Sequence, residues 1–319
     1  MSVDIKQLTV DTPYPVGQVH FYLSHINGED ILFDTGPYTP ENILFFKKHI
    51  NISNIKHVFI THCHADHYGM AKYISEHSDT TIYIPEKDAF LKENFDNRMG
   101  KLNILLNNIG FKNDIIEDIT KAIVMLKKST PALEHYNILD ASNIYKIYKK
   151  FDIRSIYCPY HTQSDIAYKI GDHLITGDIL LRGIFQTPLM DVNYSNFDER
   201  FNSYKAYCKT IRMLIKYKDC IILPGHRRYV ENIEMAVLFY VNKMFDRIKK
   251  IYKYLKTLTI PEVTDKVLGT GNVSGFLVYI KISEIMFFKD FLDAPEILKS
   301  SLERVGIFQE LEKKYNYFL

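Results

Sequence analysis

An α/β fold with two helical additions is what this 319-residue sequence predicts. Three observations lead there. Short apolar runs alternate with helical periodicity over the first third and again from about 155 to 226, which is the grammar of an α/β chain. Histidine and aspartate recur at the ends of those runs. Two stretches, about 88–140 and 231–319, read as helical and charged.

In chain order, Val19–Ser24 and Ile31–Asp34 read as strands joined through Asn27–Gly28, a strong hairpin dipeptide. Thr35–Gly36 ends the second, and Pro40–Ile50 reads as a helix with Ile43, Phe46 and Ile50 on its apolar face. Lys56–Thr61 (KHVFIT) is a buried-type strand running into HCHADHYG. Gly69–Glu76 then reads as helix and Thr81–Ile84 as strand. The segment 88–140, with helical spacing in Ile115–Leu126, reads as an insertion. Strands resume at Ser155–Cys158, Asp165–Ile170 and His173–Thr176. A helix is expected over Phe197–Tyr217, capped by Ser195 or Asn196. Ile221–Pro224 is a last strand leading into Gly225–His226, and Val230–Leu258 is strongly amphipathic. The expected organisation is a catalytic part at 1–230, carrying the insertion, and a helical C-terminal region at 231–319.

Composition narrows the function classes. With 46% hydrophobic residues and a net charge of +2, the chain is not disordered and gives no global argument for nucleic acid. The longest apolar run, Phe276–Phe288, is broken by Lys281 and Glu284, so no membrane span is expected. The start shows no basic segment followed by an apolar core, and the four cysteines show no close pairing, so a reducing cytoplasm is expected.

The segment Thr61-His62-Cys63-His64-Ala65-Asp66-His67 places four metal-competent side chains where a buried strand ends. Residues two apart on an extended chain point the same way, so His62 and His64 converge on one ion, while the turn into the helix lets Asp66 and His67 face a second. His161 follows SIYCPY, Asp178 follows LITG, and His226 follows IILPG, each at the end of an expected strand. Five imidazoles and two carboxylates suit a pair of borderline divalent ions: zinc first, with iron or manganese as alternatives. Cys63, between two candidate ligands, points away from them by alternation and reads as a buried, inert thiol.

THCHADH, PYH at 159–161, TGD at 176–178 and PGH at 224–226 resemble the successive motifs of the metallo-β-lactamase superfamily, and FDTG at 33–36 resembles its early aspartate motif. The resemblance spans roughly residues 15–230. It implies an αββα sandwich with a dinuclear metal site at one edge between the sheets. It further implies that His62, His64 and His161 hold one metal, that Asp66, His67 and His226 hold the other, and that Asp178 bridges them. Asp34 would orient a ligand or the loop beneath it, although local sequence equally allows a plain turn aspartate. One departure is Tyr160, which stands where the family's PGHTxG motif has glycine, so the local backbone differs or the phenol faces the site. Asp178 in place of cysteine points away from the commonest β-lactamases. HxHxDH, with no flavin-binding half, points away from the flavodiiron reductases, and the complete ligand set away from single-iron persulfide dioxygenases.

Such a metal pair lowers the pKa of a shared water and so supplies hydroxide without a protein base, which favours hydrolysis. Asp66 would orient the nucleophile while ligating. Tyr160, Tyr194 and Arg227 are candidate substrate contacts, and Tyr160, Tyr194, His135 and His173 are candidate general acids. Fold alone does not select a substrate. The first reading is a small-molecule hydrolase acting on an ester, thioester or lactone, akin to the glyoxalase II-like branch. The second is a phosphodiesterase akin to the lactamase-like endoribonucleases, supported by Arg227, Arg228 and a 243–256 segment with six basic residues against Asp246 alone. Across 231–319 thirteen basic residues meet twelve acidic ones, which weakens that second reading. A third, a scaffold that binds metal without turnover, is disfavoured by the full ligand set. The expected partner is therefore a small molecule, with nucleic acid less favoured, no membrane, and the oligomeric state left open.

Overall fold

In the computed structural model, which describes residues 3–269 and 273–319, the strands form two sheets. The six-stranded sheet runs β1 (Ile5–Val10), β2 (Val19–Ile26), β3 (Glu29–Phe33), β4 (Ile55–Phe59), β5 (Thr81–Pro85) and β6 (Asn137–Leu139) in that spatial order. Its first three strands pair antiparallel and its last three continue in parallel from β3. The Asn27–Gly28 turn between β2 and β3 has both residues at positive φ, 54° and 82°, as the hairpin reading requires. The four-stranded sheet has the order β10 (Ile221–Pro224), β9 (His173–Gly177), β8 (Ile166–Ile170), β7 (Arg154–Tyr157). Because β8 is antiparallel to both neighbours while β9 and β10 are parallel, β7, β9 and β10 all run one way. Their C-terminal ends therefore share one edge of the sandwich.

Both sheets are covered on both faces, so their strands bury alternate residues in different cores. Between the sheets lie Tyr22, Phe33, Phe59, Tyr168, Ile175 and Leu223. The neighbours Phe21, Leu32 and Val58 face outwards under α1 (Pro40–His49) and α3 (Ala71–His77), with Phe46 and Ile74. A four-residue helix, α2 (Ala65–Tyr68), precedes α3. On the other face, Ala167, Leu174 and Ile222 pack under α8 (Ser203–Leu214) and α9 (Ile233–Leu255). The result is the αββα sandwich.

The 86–128 stretch forms α4 (Glu86–Glu93), α5 (Phe95–Ile109) and α6 (Asn113–Lys128), and α7 (Ala141–Phe151) follows β6. The C-terminal helices are α10 (Ile260–Leu268), α11 (Gly275–Asp293), α12 (Pro295–Val305) and α13 (Phe308–Asn316). They are not detached from the rest. Phe287, Phe288, Phe291 and Leu302 share one core with the outer face of the four-stranded sheet, and Tyr279 and Ile282 meet Leu102 and Ile119 of the inserted helices.

Several expectations change. The 197–217 helix begins only at Ser203, capped by Asn202, whose side chain accepts from the Lys205 N–H. Residues 191–201 instead fold back on themselves: Val192 bridges Arg200, Phe201 N–H donates to Asp191 O, and Phe197 sits at φ 57°. The 88–140 insertion is not wholly helical, since 137–139 add an edge strand to the larger sheet. The helix read at 69–76 is α3, which begins at Ala71, and the separate α2 precedes it across Gly69–Met70. β1 and α7 were not among the expected elements. Among the described residues no helix is long and apolar enough to cross a membrane.

Candidate metal centre

The three common strand ends of the smaller sheet deliver His161, Asp178 and His226, and the end of β4 delivers His62 through His67. Backbone bonds clamp these ends together. Gly225 N–H donates to Gly177 O (2.7 Å), Ile166 N–H to Thr61 O (3.0 Å), and His20 N–H to Gly225 O (2.6 Å). The glycines before Asp178 and His226 are demanded by this closeness. A Cβ on Gly225 would lie 2.6 Å from His67 Cε1 and 2.8 Å from Asp178 Oδ1, and one on Gly177, at φ 50°, would lie 2.7 Å from Thr61 Oγ1. Gly225→Ala is therefore expected to displace His67 and Asp178 and to lower metal affinity by about tenfold or more. Competition with a chromogenic chelator reads this, and unchanged affinity would refute it.

Donor atoms form three overlapping triads: His62, His64, His161; His62, His67, Asp178; and Asp66, His67, His226. Asp178 turns its two oxygens to different neighbours. Oδ1 is 3.4 Å from both His67 Nε2 and His226 Nε2, and Oδ2 is 3.7 Å from His161 Nε2. His226 Nε2 is 3.4 Å from Asp66 Oδ2, and His161 Nε2 is 3.2 Å from His64 Nδ1. Ligands at about 2.0–2.1 Å around a tetrahedral ion sit about 3.3–3.4 Å apart, so these separations suit metal-bound donors. His62, His67 and His226 are fully buried, Asp178 nearly so, and His64, Asp66 and His161 are half-buried, which leaves the centre open on their side.

The outer partners fix which nitrogen each imidazole offers. His226 Nδ1–H donates to Gln18 O (2.6 Å) and His67 Nδ1–H to Asp34 Oδ2 (2.8 Å). Thr61 Oγ1 donates to Asp34 Oδ2 (2.8 Å) and thereby keeps a lone pair for His62 Nδ1–H at 3.1 Å. The Nε2 atoms of His62, His67 and His226 and Asp178 Oδ1 are then buried without a hydrogen-bond partner. Buried polar atoms are rarely left so, and four of them converging on one another fit divalent ions.

Charge follows the same plan. Burial would raise the Asp66 carboxyl, but His67 and His226 hold it down at about 2. Burial likewise opposes ionisation of Asp178, yet His226 and His67 bring it well below the usual carboxylate range. His67 is pushed down by burial but raised well above its ordinary value by Asp178 and Asp34. Burial, reinforced by His64, lowers His161 to about 3, so it is a neutral donor.

Asp34 sits at φ 59°, tolerable for an aspartate held on several sides. Oδ1 accepts from Thr61 N–H (2.8 Å), and Oδ2 takes both Thr61 Oγ1 and His67. Asp34→Asn keeps the shape but loses one acceptor, and it is expected to cost about 10–100-fold in metal affinity. Calorimetric titration reads this, and wild-type affinity would refute it.

The candidate substrate contacts fare differently. Tyr160 is 1% exposed, and its phenol packs on Tyr207 and Tyr240 while donating to Gln186 O (3.3 Å), so it is turned into the core and not onto the site. The hydroxyl of Tyr194 is engaged by Asp191 Oδ2 at 2.7 Å. Arg227 is exposed just after His226, at φ 69°. His173 opens β9, the opposite end of the strand from Asp178, and His135 is exposed in the loop before β6, so neither joins the triads. Cys63 packs against the outer core, its thiol pushed well up by burial and by Asp88.

Sequence reasoning missed three buried residues that hold the ligand loops. Asp88 of α4 accepts from Cys63 N–H (2.8 Å), between His62 and His64. Asp165 accepts from Thr162 N–H and Oγ1 (both 2.7 Å) beside His161, and burial pushes its carboxyl up to about 8. His20 donates through Nε2 to Arg227 O (2.5 Å). Only Asp165, four residues after His161, was near enough in sequence to be noticed.

Residues 14–138 match the model of the metallo-beta-lactamase superfamily. A Bacillus subtilis (strain 168) protein named "Probable metallo-hydrolase YqjP" is 22% identical over 98% of this chain and 99% of its own length. Two solved structures share the fold over most of both chains. A metallo-beta-lactamase family protein from Thermus thermophilus has a TM-score of 0.71 at 17% identity, covering 92% of this chain and 94% of that one. A beta-lactamase domain protein from Burkholderia ambifaria has a TM-score of 0.69 at 16% identity, covering 91% and 87%. This chain has the metallo-beta-lactamase fold, and its residues 14–138 match the model of the metallo-beta-lactamase superfamily.

Proposed function

We propose that the chain is a metal-dependent hydrolase with a two-ion centre, acting on a small-molecule ester, thioester or lactone. The observation that carries this is the turn of Asp178's two oxygens towards different histidines, with unpartnered imidazole nitrogens around them. His62, His64 and His161 would hold one ion, Asp66, His67 and His226 the other, and Asp178 both. When bound, divalent ions supply Lewis acidity and a hydroxide nucleophile near neutral pH. The chain's own residues do the rest. Asp66, ionised and half-buried on the open side, orients the attacking group. Asp34, Thr61 and Gln18 hold the imidazoles in the tautomer that leaves Nε2 free. Arg227, exposed and next in sequence to His226, would meet an anionic substrate.

The name of the Bacillus subtilis relative supports the hydrolase class. The near-neutral chain supports a small substrate, and a cytoplasmic setting with residues 1–230 as the catalytic part belongs to the same reading. The test is metal analysis together with a panel of thioester, lactone, phosphodiester and RNA substrates, using zinc- or manganese-loaded protein. About two ions per chain and chelator-sensitive turnover of an acyl substrate are expected. No bound metal would sink the reading, and cleavage of RNA alone would replace its substrate.

A further inference from the structure

Beside the loop that follows Asp178 lies a surface depression of about 630 Å³, walled by Gly183–Phe185 on one side and by Phe239, Lys243, Arg247 and Lys250 of α9 on the other. We propose that it binds the phosphate-bearing tail of an extended small-molecule substrate. This names a substrate class for the hydrolytic site, and that part rests on the function proposed above; the anion site itself does not.

Positions 239, 243, 247 and 250 follow helical spacing and share one stripe of α9, with about 10 Å of axial rise between Lys243 and Lys250. Side chains of this length close on a group the size of a pyrophosphate. The charges are unbalanced. Asp246, the acidic residue on the same rim, is taken by Lys314 at 2.8 Å. Buried Glu284 pairs with both Arg247 and Lys281, so a single carboxylate faces two cations. Among the described residues neither Lys243 nor Lys250 has a carboxylate partner.

Arg247 is also held in place, because its guanidinium lies over the Phe185 ring at 4.8 Å while 43% of the side chain stays exposed. A fixed guanidinium between two free ammoniums matches a ligand with several negative oxygens better than a lone carboxylate. The half-buried rings of Phe185 and Phe239 beside them suit an organic phosphate.

The depression is tied to the metal centre through one residue. Gln186 Nε2 donates to Asp178 O (3.0 Å), and Tyr240 of α9 donates to Gln186 O (3.2 Å). Phe185 stacks on the same Tyr240, with ring centroids 4.4 Å apart. The wall of the depression and the support of the Asp178 backbone are thus one short loop.

Calorimetric titration of chelator-treated protein with ADP, with pyrophosphate and with a single-stranded RNA 12-mer tests the site without any metal. ADP or pyrophosphate binding that weakens about tenfold or more in Lys243→Glu/Lys250→Glu is expected, because the charged contacts to the phosphate oxygens are lost. Both lysines are exposed, and an unchanged melting curve checks the fold of the variant. With metal-loaded protein, the same variant should raise KM about tenfold for a thioester of a nucleotide-bearing thiol, with kcat kept and turnover of a neutral ester unchanged. No binding of either phosphate, or equal binding by the variant, overturns the anion site. Binding that weakens while KM stays unchanged overturns its role as the tail's site. RNA binding that exceeds ADP and is lost in the variant overturns the small-molecule assignment. If wild type hydrolyses neither ester yet binds ADP, the hydrolase function fails and the anion site stands.

Discussion

Asp178→Ala is expected to abolish turnover, lowering kcat/KM by at least about 10³-fold, and to reduce bound metal from about two ions to one or fewer per chain. The side chain is buried and touches three of the histidine donors, His67, His161 and His226, at 3.4, 3.7 and 3.4 Å. In the proposed assignment it is the one donor that both halves of the centre share. The magnitude follows from the several kcal/mol that metal ions contribute to transition-state charge, at about 1.36 kcal/mol per tenfold. Metal analysis and steady-state kinetics on the folded variant measure it. A variant that keeps both ions and wild-type rate would show that Asp178 is not the shared ligand.

Arg98→Met is expected to destabilise the fold by about 3–5 kcal/mol without touching the candidate ligands. Arg98 of α5 is 8% exposed, and its Nε and Nη2 meet Asp191 Oδ2 at 2.8 and 2.5 Å. Asp191 is 3% exposed and also accepts from Tyr194, while the adjacent Met190 carbonyl accepts from Tyr279 of α11. Removing the cation leaves a buried carboxylate uncompensated, the costly way to break an ion pair. At about 2–4 °C per kcal/mol, the melting temperature should fall on the order of 10 °C. Arg98→Met/Asp191→Leu, which removes both charges, should recover part of that loss. A melting temperature within a degree or two of wild type for the single variant would refute the clip.

The sandwich was legible because its strands carry strong local signals. KHVFIT, the Asn27–Gly28 turn and IILPG all form what their patterns predict. The donor set was legible for a related reason. HxHxDH is local, and each further donor follows the end of an apolar strand, a position that can be read without knowing which strands are neighbours. Misreadings occurred where distant contacts override local preference. Residues 197–202 have helical company but are held in a fold-back by Asp191 and Val192, and Phe197 takes a positive φ that ends any helix there. β6 has three residues and borrows its pairing from β5, so nothing in 137–139 alone marks it.

Composition and motif order alone determined the α/β class, the seven candidate donors and the absence of an apolar run long enough for a membrane span, because each depends on residue type and on separations of a few positions. Only the tertiary structure decided that Tyr160 turns into the core, that Asp88 and Asp165 brace the ligand loops, and that the C-terminal helices share a core with the smaller sheet. Most of these are contacts between segments far apart along the chain. Their cause is the shared direction of β7, β9 and β10, which gathers strand ends, helices and loops at one edge. Pattern along the chain does not encode that direction, and the packing of the two sheets does.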